Sequence, residues 1–186
     1  MSLDQIKGPW PSIKAKKLAE NLQSTVGLPV ALRLETGAAI AAYSGEHVDG
    51  WQQQSNKELM LRWNNGGSSQ TKMAAMFTLP EDLDTTQDLT VHFLAASSST
   101  NDTPTMLVEA YMVGVGSAPA SDSNCGGYTS GESTATGLYV DHTFTIDSDD
   151  LISGEASLTV IFNPMSGELV TDDFISSPPW ITFTRL

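Results

Sequence analysis

From residue 28 to the end, no helical repeat lasts long enough to build on. Short apolar or alternating runs follow one another instead, each closed by Gly, Pro, Asn, Asp or Ser. Eight such runs are legible, at 28–34, 58–63, 72–79, 89–94, 106–113, 137–146, 157–162 and 180–186. Some alternate cleanly: in 139–146, Val140, His142, Phe144 and Ile146 fall on one face, while Tyr139, Asp141, Thr143 and Thr145 fall on the other. A chain of this kind has no crossover helices with which to make a parallel sheet. The pattern therefore predicts antiparallel pairing in an all-β sandwich, with one face of each strand inward.

The connectors agree with that expectation. Asn64-Asn-Gly-Gly67 is a strong turn signal, and Pro80 closes the run before it because a proline cannot donate to a central ladder. Residues 95–104 and 116–136 are rich in Ser, Thr, Asn, Asp and Gly and read as surface loops. The first 27 residues differ from everything after them. Gly8-Pro-Trp-Pro11 forbids a helix there, a weakly helical stretch follows at 13–22, and Lys7, Lys14, Lys16 and Lys17 supply four of the nine cations. We expect residues 1–27 to form an extended or short-helical arm and residues 28–186 to form one sandwich domain, since 186 residues suit a single core.

Charge narrows the partners. Residues 1–73 hold eight basic and six acidic groups (+2), while residues 74–186 hold one basic and 16 acidic groups (−15). Arg185 is the only cation after Lys72, so a phosphate backbone would be repelled and nucleic acid is not an expected partner. No apolar run approaches the roughly 20 residues that span a bilayer, and the start lacks a signal-peptide pattern, so neither a membrane partner nor secretion is expected. Cys125 is the only cysteine, which excludes an internal disulfide and a cysteine metal cluster.

The usual chemical motifs are missing: no phosphate-binding glycine loop and no Gly-x-Ser-x-Gly elbow is present. His47, His92 and His142 lie in separate segments, the latter two in strand-like text where a sheet-face or core role is ordinary. Asp147, Asp149 and Asp150 form the best cation candidate. The run lacks the glycine and distal glutamate of a calcium loop, and turns favour Asp and Ser for their backbone hydrogen bonds. Glu81, Asp82 and Asp84, and the pair Asp172 and Asp173, are read in the same way. No catalytic, metal or cofactor residue is assigned. Among the aromatics, Trp63 and Trp180 are expected in the core, Trp51 is the one expected to be exposed, and Tyr43, Tyr111 and Tyr128 are further candidates for a sugar face.

Phe77-Thr-Leu-Pro-Glu-Asp-Leu-Asp84, the run from Leu89 to Thr105 with its Thr-Asn-Asp loop, Val108-Glu-Ala-Tyr-Met-Val-Gly-Val115 and the closing Trp180-Ile-Thr-Phe-Thr-Arg185 together resemble a group of proteins. These are jelly-roll-like sandwich proteins encoded among the virion structural genes of tailed bacteriophages. The resemblance covers residues 58–186 and rests on scaffold signatures, none of them catalytic. It implies a jelly-roll-like sandwich and a structural role in the virion as a capsid decoration or head-fibre-like protein, often a homotrimer.

The sequence-based expectation is thus a non-enzymatic protein that assembles as an oligomer on a particle. The arm, with Trp10, Ile13, Lys14, Lys16 and Lys17 and a charge of +3 over residues 1–17, would dock on a capsid protein while the acidic body faces water. Trp10 has the alternative of packing on its own domain. The rival function is a carbohydrate-binding or adhesion module that holds a glycan in loops 95–104 and 116–136. A third is a hydrolase with paired carboxylates.

Overall fold

A computed structural model describes residues 24–40, 49–53, 59–65, 70–98, 102, 104–116, 123–132, 138–154, 156–165 and 170–186; of Ser24, Gln53 and 123–132 it describes the backbone alone. The arm residues Trp10, Ile13, Lys14, Lys16 and Lys17 lie outside the described residues, as do the stretch 13–22, Tyr43 and His47. Among the described residues twelve strands are formed: β1 (Ser24–Gly27), β2 (Ala31–Leu34), β3 (Gly50–Gln53), β4 (Leu59–Trp63), β5 (Met73–Leu79), β6 (Leu89–Ser97), β7 (Thr105–Gly114), β8 (Ser123–Glu132), β9 (Val140–Ile146), β10 (Ala156–Pro164), β11 (Phe174–Ser176) and β12 (Trp180–Thr184).

All the ladders are antiparallel. One sheet has seven strands in the order β1-β12-β6-β11-β4-β3, with β9 on the other side of β6; the second has five in the order β2-β5-β10-β7-β8. The protein is a jelly-roll-like antiparallel sandwich, the class expected from the sequence. Alternation sets its core: Met73, Ala75, Phe77 and Leu79 of β5 face Leu89, Val91, Phe93 and Ala95 of β6 across the layers, all buried. An aromatic chain crosses between the sheets. Trp63 packs on Phe162 and Phe174 with ring centroids 6.0 Å apart in each case, and Phe93 packs on Phe162 at 4.9 Å and on Phe144 at 5.5 Å. The Trp63 indole N–H donates to the Thr71 carbonyl at 2.7 Å, so this buried ring leaves no donor unmet.

Some expectations need correction. Residues 24–27, read as part of the arm, run as β1 along β12, with Ser24 opposite Thr184 and Gly27 opposite Ile181. Much of the stretch 116–136, read as a loop, is β8, paired along β7. Its text, Ser123-Asn-Cys-Gly-Gly-Tyr-Thr-Ser-Gly-Glu132, has almost no apolar alternation, and its ladder is supplied by β7. Two short strands, β3 and β11, gave no run long enough to read.

Candidate functional site

β11 and β12 lie end to end along the same edge of β6. Phe174, Ile175 and Ser176 pair with Ser97, Ala96 and Ala95, and Trp180, Ile181 and Thr182 pair with His92, Val91 and Thr90. Between them Ser177 keeps the ladder going: its N–H donates to the Leu94 carbonyl at 2.8 Å, and its Oγ accepts from the Leu94 N–H at 3.1 Å. Pro178 and Pro179 then stand against the single residue Phe93, which is a β-bulge. Prolines suit the position because they have no N–H to leave unpaired.

The bulge decides which way Trp180 points. Phe174 and Ser176 are buried, and unbroken alternation would carry the inward face on to Trp180 and Thr182. The extra residue reverses the phase. Ile181 and Phe183 become the buried residues of β12, and half-buried Trp180, Thr182 and Thr184 take the outer face. Trp180, expected in the core, is therefore a surface ring.

On that face Trp180 stacks on His92 of the neighbouring strand, ring centroids 5.2 Å apart and planes within 6° of parallel. The imidazole is held at both nitrogens, with Nε2 3.0 Å from Thr182 Oγ1 and Nδ1 3.4 Å from Asp141 Oδ2. Across β12, β6 and β9 the outward residues line up in cross-strand rows: Trp180, His92 and Thr143 in one, and Thr182, Thr90 and Thr145 in the next. Leu94 and Asp141 form the row beyond. The result is an aromatic pair bordered by threonine hydroxyls, which donate and accept, and by one carboxylate, which accepts. Farther along the same sheet, Arg62 donates through Nε to Asp173 Oδ2 at 2.7 Å, and its guanidinium also pairs with that carboxylate and bonds to Gln52.

Carboxylates fasten the loops at one end of the sandwich. Asp102 Oδ2 accepts from the backbone N–H groups of Val170, Thr171 and Asp172 at 2.8, 2.6 and 2.7 Å. Desolvation raises its pKa, yet those three donors outweigh it and hold the carboxyl below its ordinary value. Asp49 accepts from Asn64 and Thr71 N–H, and Asp173 Oδ1 accepts from Asn65 N–H at 2.8 Å. These groups act as loop clasps. Asp82 pairs with Arg185, and Asp84 accepts from Thr86. Ser148–Asp150 is a single 3-10 turn whose Ser148 N–H donates to Asp88 Oδ1. Among the described residues, no three His, Cys, Asp or Glu side chains gather as a metal site.

The remaining candidates fall elsewhere. Trp51, expected to be exposed, is half-buried against the core, because its register opposite Leu61 turns it inward. Tyr111 lies on the outer face of the five-stranded sheet and donates to Glu109 Oε2 at 3.0 Å. Trp63 is in the core as expected, and His142 faces inward with Phe144 and Ile146. A cleft of about 340 Å³ beside β5, β7 and β10 is lined by Thr78, Val113, Gly114, Val115, Ala156 and Ser157 and by no ionisable group.

No family model matches the chain, and no curated protein matches its sequence. Solved structures with a related outline include the CBM22-1 and GH10 modules of xylanase 10B from Clostridium thermocellum, in complex with xylohexaose. That likeness has 11% identity and a TM-score of 0.46, covering 87% of this chain and 28% of that one. The enzymatically active domain of bacteriophage CBA120 tailspike protein 4 gives 12% identity and a TM-score of 0.40, covering 86% and 19%. The xylan-binding module CBM15 gives 14% and 0.45, covering 87% and 98%. The chain thus spans under a third of the first two proteins and nearly all of the third. At such identities and scores the likeness says nothing about what this chain binds.

Proposed function

We propose that the chain is a non-catalytic β-sandwich module that binds carbohydrate on the outer face of its seven-stranded sheet. The observation that carries this reading is the surface ring of Trp180, held in a fixed plane by His92 and bordered by Thr90, Thr143, Thr145, Thr182 and Asp141. A rigid indole offers stacking area at little entropic cost, and the hydroxyls beside it suit a ligand that presents hydroxyls of its own. The carboxylates at the loop end are engaged in holding backbone, which favours a binding role over acid–base work. The site is a strand face, whereas the sequence pointed to the loops.

Assembly on a virus particle through the arm is the second reading. What favours it is a strip of exposed apolar residues where β1 passes to β2, with Val26, Leu28 and Val30 at 61%, 72% and 69% exposure and Met76 beside them. One pair of variants separates the two. Trp180→Ala should weaken glycan binding roughly 10- to 100-fold, as truncating a stacking anchor does, with an unchanged far-ultraviolet circular dichroism spectrum. Deleting residues 1–17 should leave glycan binding intact and abolish capture by particles. Full glycan affinity in Trp180→Ala would remove the carbohydrate face.

A further inference from the structure

The geometry points to an uncharged glycan as the ligand of this face, with chains bearing uronate, sulfate or sialate groups excluded. The inference rests on the carbohydrate reading above and adds the ligand's charge class to it. Among the described strand residues, the outer face of the seven-stranded sheet carries two full charges, Asp141 and Arg62, with Asp173 flanking β11 and paired to Arg62. The Asp141 side chain is 48% exposed and lies 3.4 Å from the imidazole that stacks on Trp180, so a glycan chain that crosses the ring pair from β12 to β9 meets it. The Arg62 guanidinium is taken up by Asp173 and Gln52, and it sits on β4, across β11 from β6. An anionic chain laid across the pair would thus face a carboxylate, and among the described residues of this face the one cation, Arg62, is already paired.

The rest of the molecule adds to this. Residues 74–186 carry 16 acidic groups and one basic one, and that one, Arg185, is paired with Asp82 at 2.8 Å. The chain as a whole is −13, so at low salt its net field opposes the approach of a polyanion. Neutral hydroxyls feel no such penalty and find acceptors in Asp141 and in the threonine rows.

Affinity gel electrophoresis of the full chain at about 10 mM salt, where exposed charges interact over roughly 30 Å, tests the assignment. Two neutral polymers, hydroxyethylcellulose and galactomannan, are compared with three anionic ones, polygalacturonate, alginate and heparin. Retardation by a neutral polymer, absent with all three anionic ones and lost in Trp180→Ala, is expected. In Asp141→Lys, retardation by an anionic polymer should rise, by roughly up to fivefold for a single exposed charge pair. Anionic retardation in the unaltered protein, equal to or above the neutral and lost in Trp180→Ala, would overturn the charge class and leave the sugar face standing. Retardation by neither class would overturn both.

Discussion

His142 is a polar side chain in a place built for apolar ones. It points inward from β9 opposite Phe93, is 6% exposed, and its Nε2 has no hydrogen-bond partner among the described residues. Burial holds its pKa below the ordinary histidine value, against the pull of Asp141. The sign of the pH effect follows. Above about pH 6.5 the ring is neutral folded or unfolded and costs nothing extra; below it the unfolded chain takes up a proton that the folded chain refuses. Stability should fall by about 1.4 kcal/mol per pH unit from there down to the folded pKa. His142→Leu should flatten that segment of the curve. Urea unfolding of both proteins at pH 8 and pH 5 measures it, and equal pH dependence in the two would refute the assignment.

Strand by strand, the sandwich was legible wherever alternation was strong. β5, β6, β9 and β10 carry mostly apolar residues at every second position, and their burial largely follows that alternation. β8 was not legible, because its pairing depends on a neighbour rather than on its own residues. The site was half legible: Thr182 and Thr184 share the phase of Trp180 and mark it as outward, yet a lone tryptophan beside Ile181 and Phe183 reads as core. What could not be read was the partner strand, without which Pro178 and Pro179 look like a plain strand start. Their count is what matters. Deleting Pro179 would restore one-to-one pairing and turn Ile181 and Phe183 out to water, at about 1.5–3 kcal/mol for each buried side chain exposed. The deletion should lower the denaturation midpoint by the equivalent of about 3 kcal/mol or more, whereas Pro178→Ala, which keeps the count, should cost less than about 1 kcal/mol. A deletion variant as stable as its parent would mean that the bulge does not set the phase.

At the scale of the whole molecule, two features oppose each other. The −15 body pushes copies apart, while Val26, Leu28 and Val30 leave an apolar strip at the β1 edge that association would cover. Salt changes one and not the other: screening shortens the repulsion from roughly 30 Å at 0.01 M to about 3 Å at 1 M, and burial of apolar area is not weakened. If the strip is an oligomer contact, sedimentation velocity should find monomer at low salt and a growing oligomer as sodium chloride rises. Leu28→Glu should hold the chain monomeric throughout, because it places a charge on the surface to be buried. A chain that stays monomeric across the whole salt range at high protein concentration would retire self-association. The proposed glycan face would then act on one sandwich at a time, and its affinity for a polymer would rest on one Trp180 per chain, with no gain from self-association.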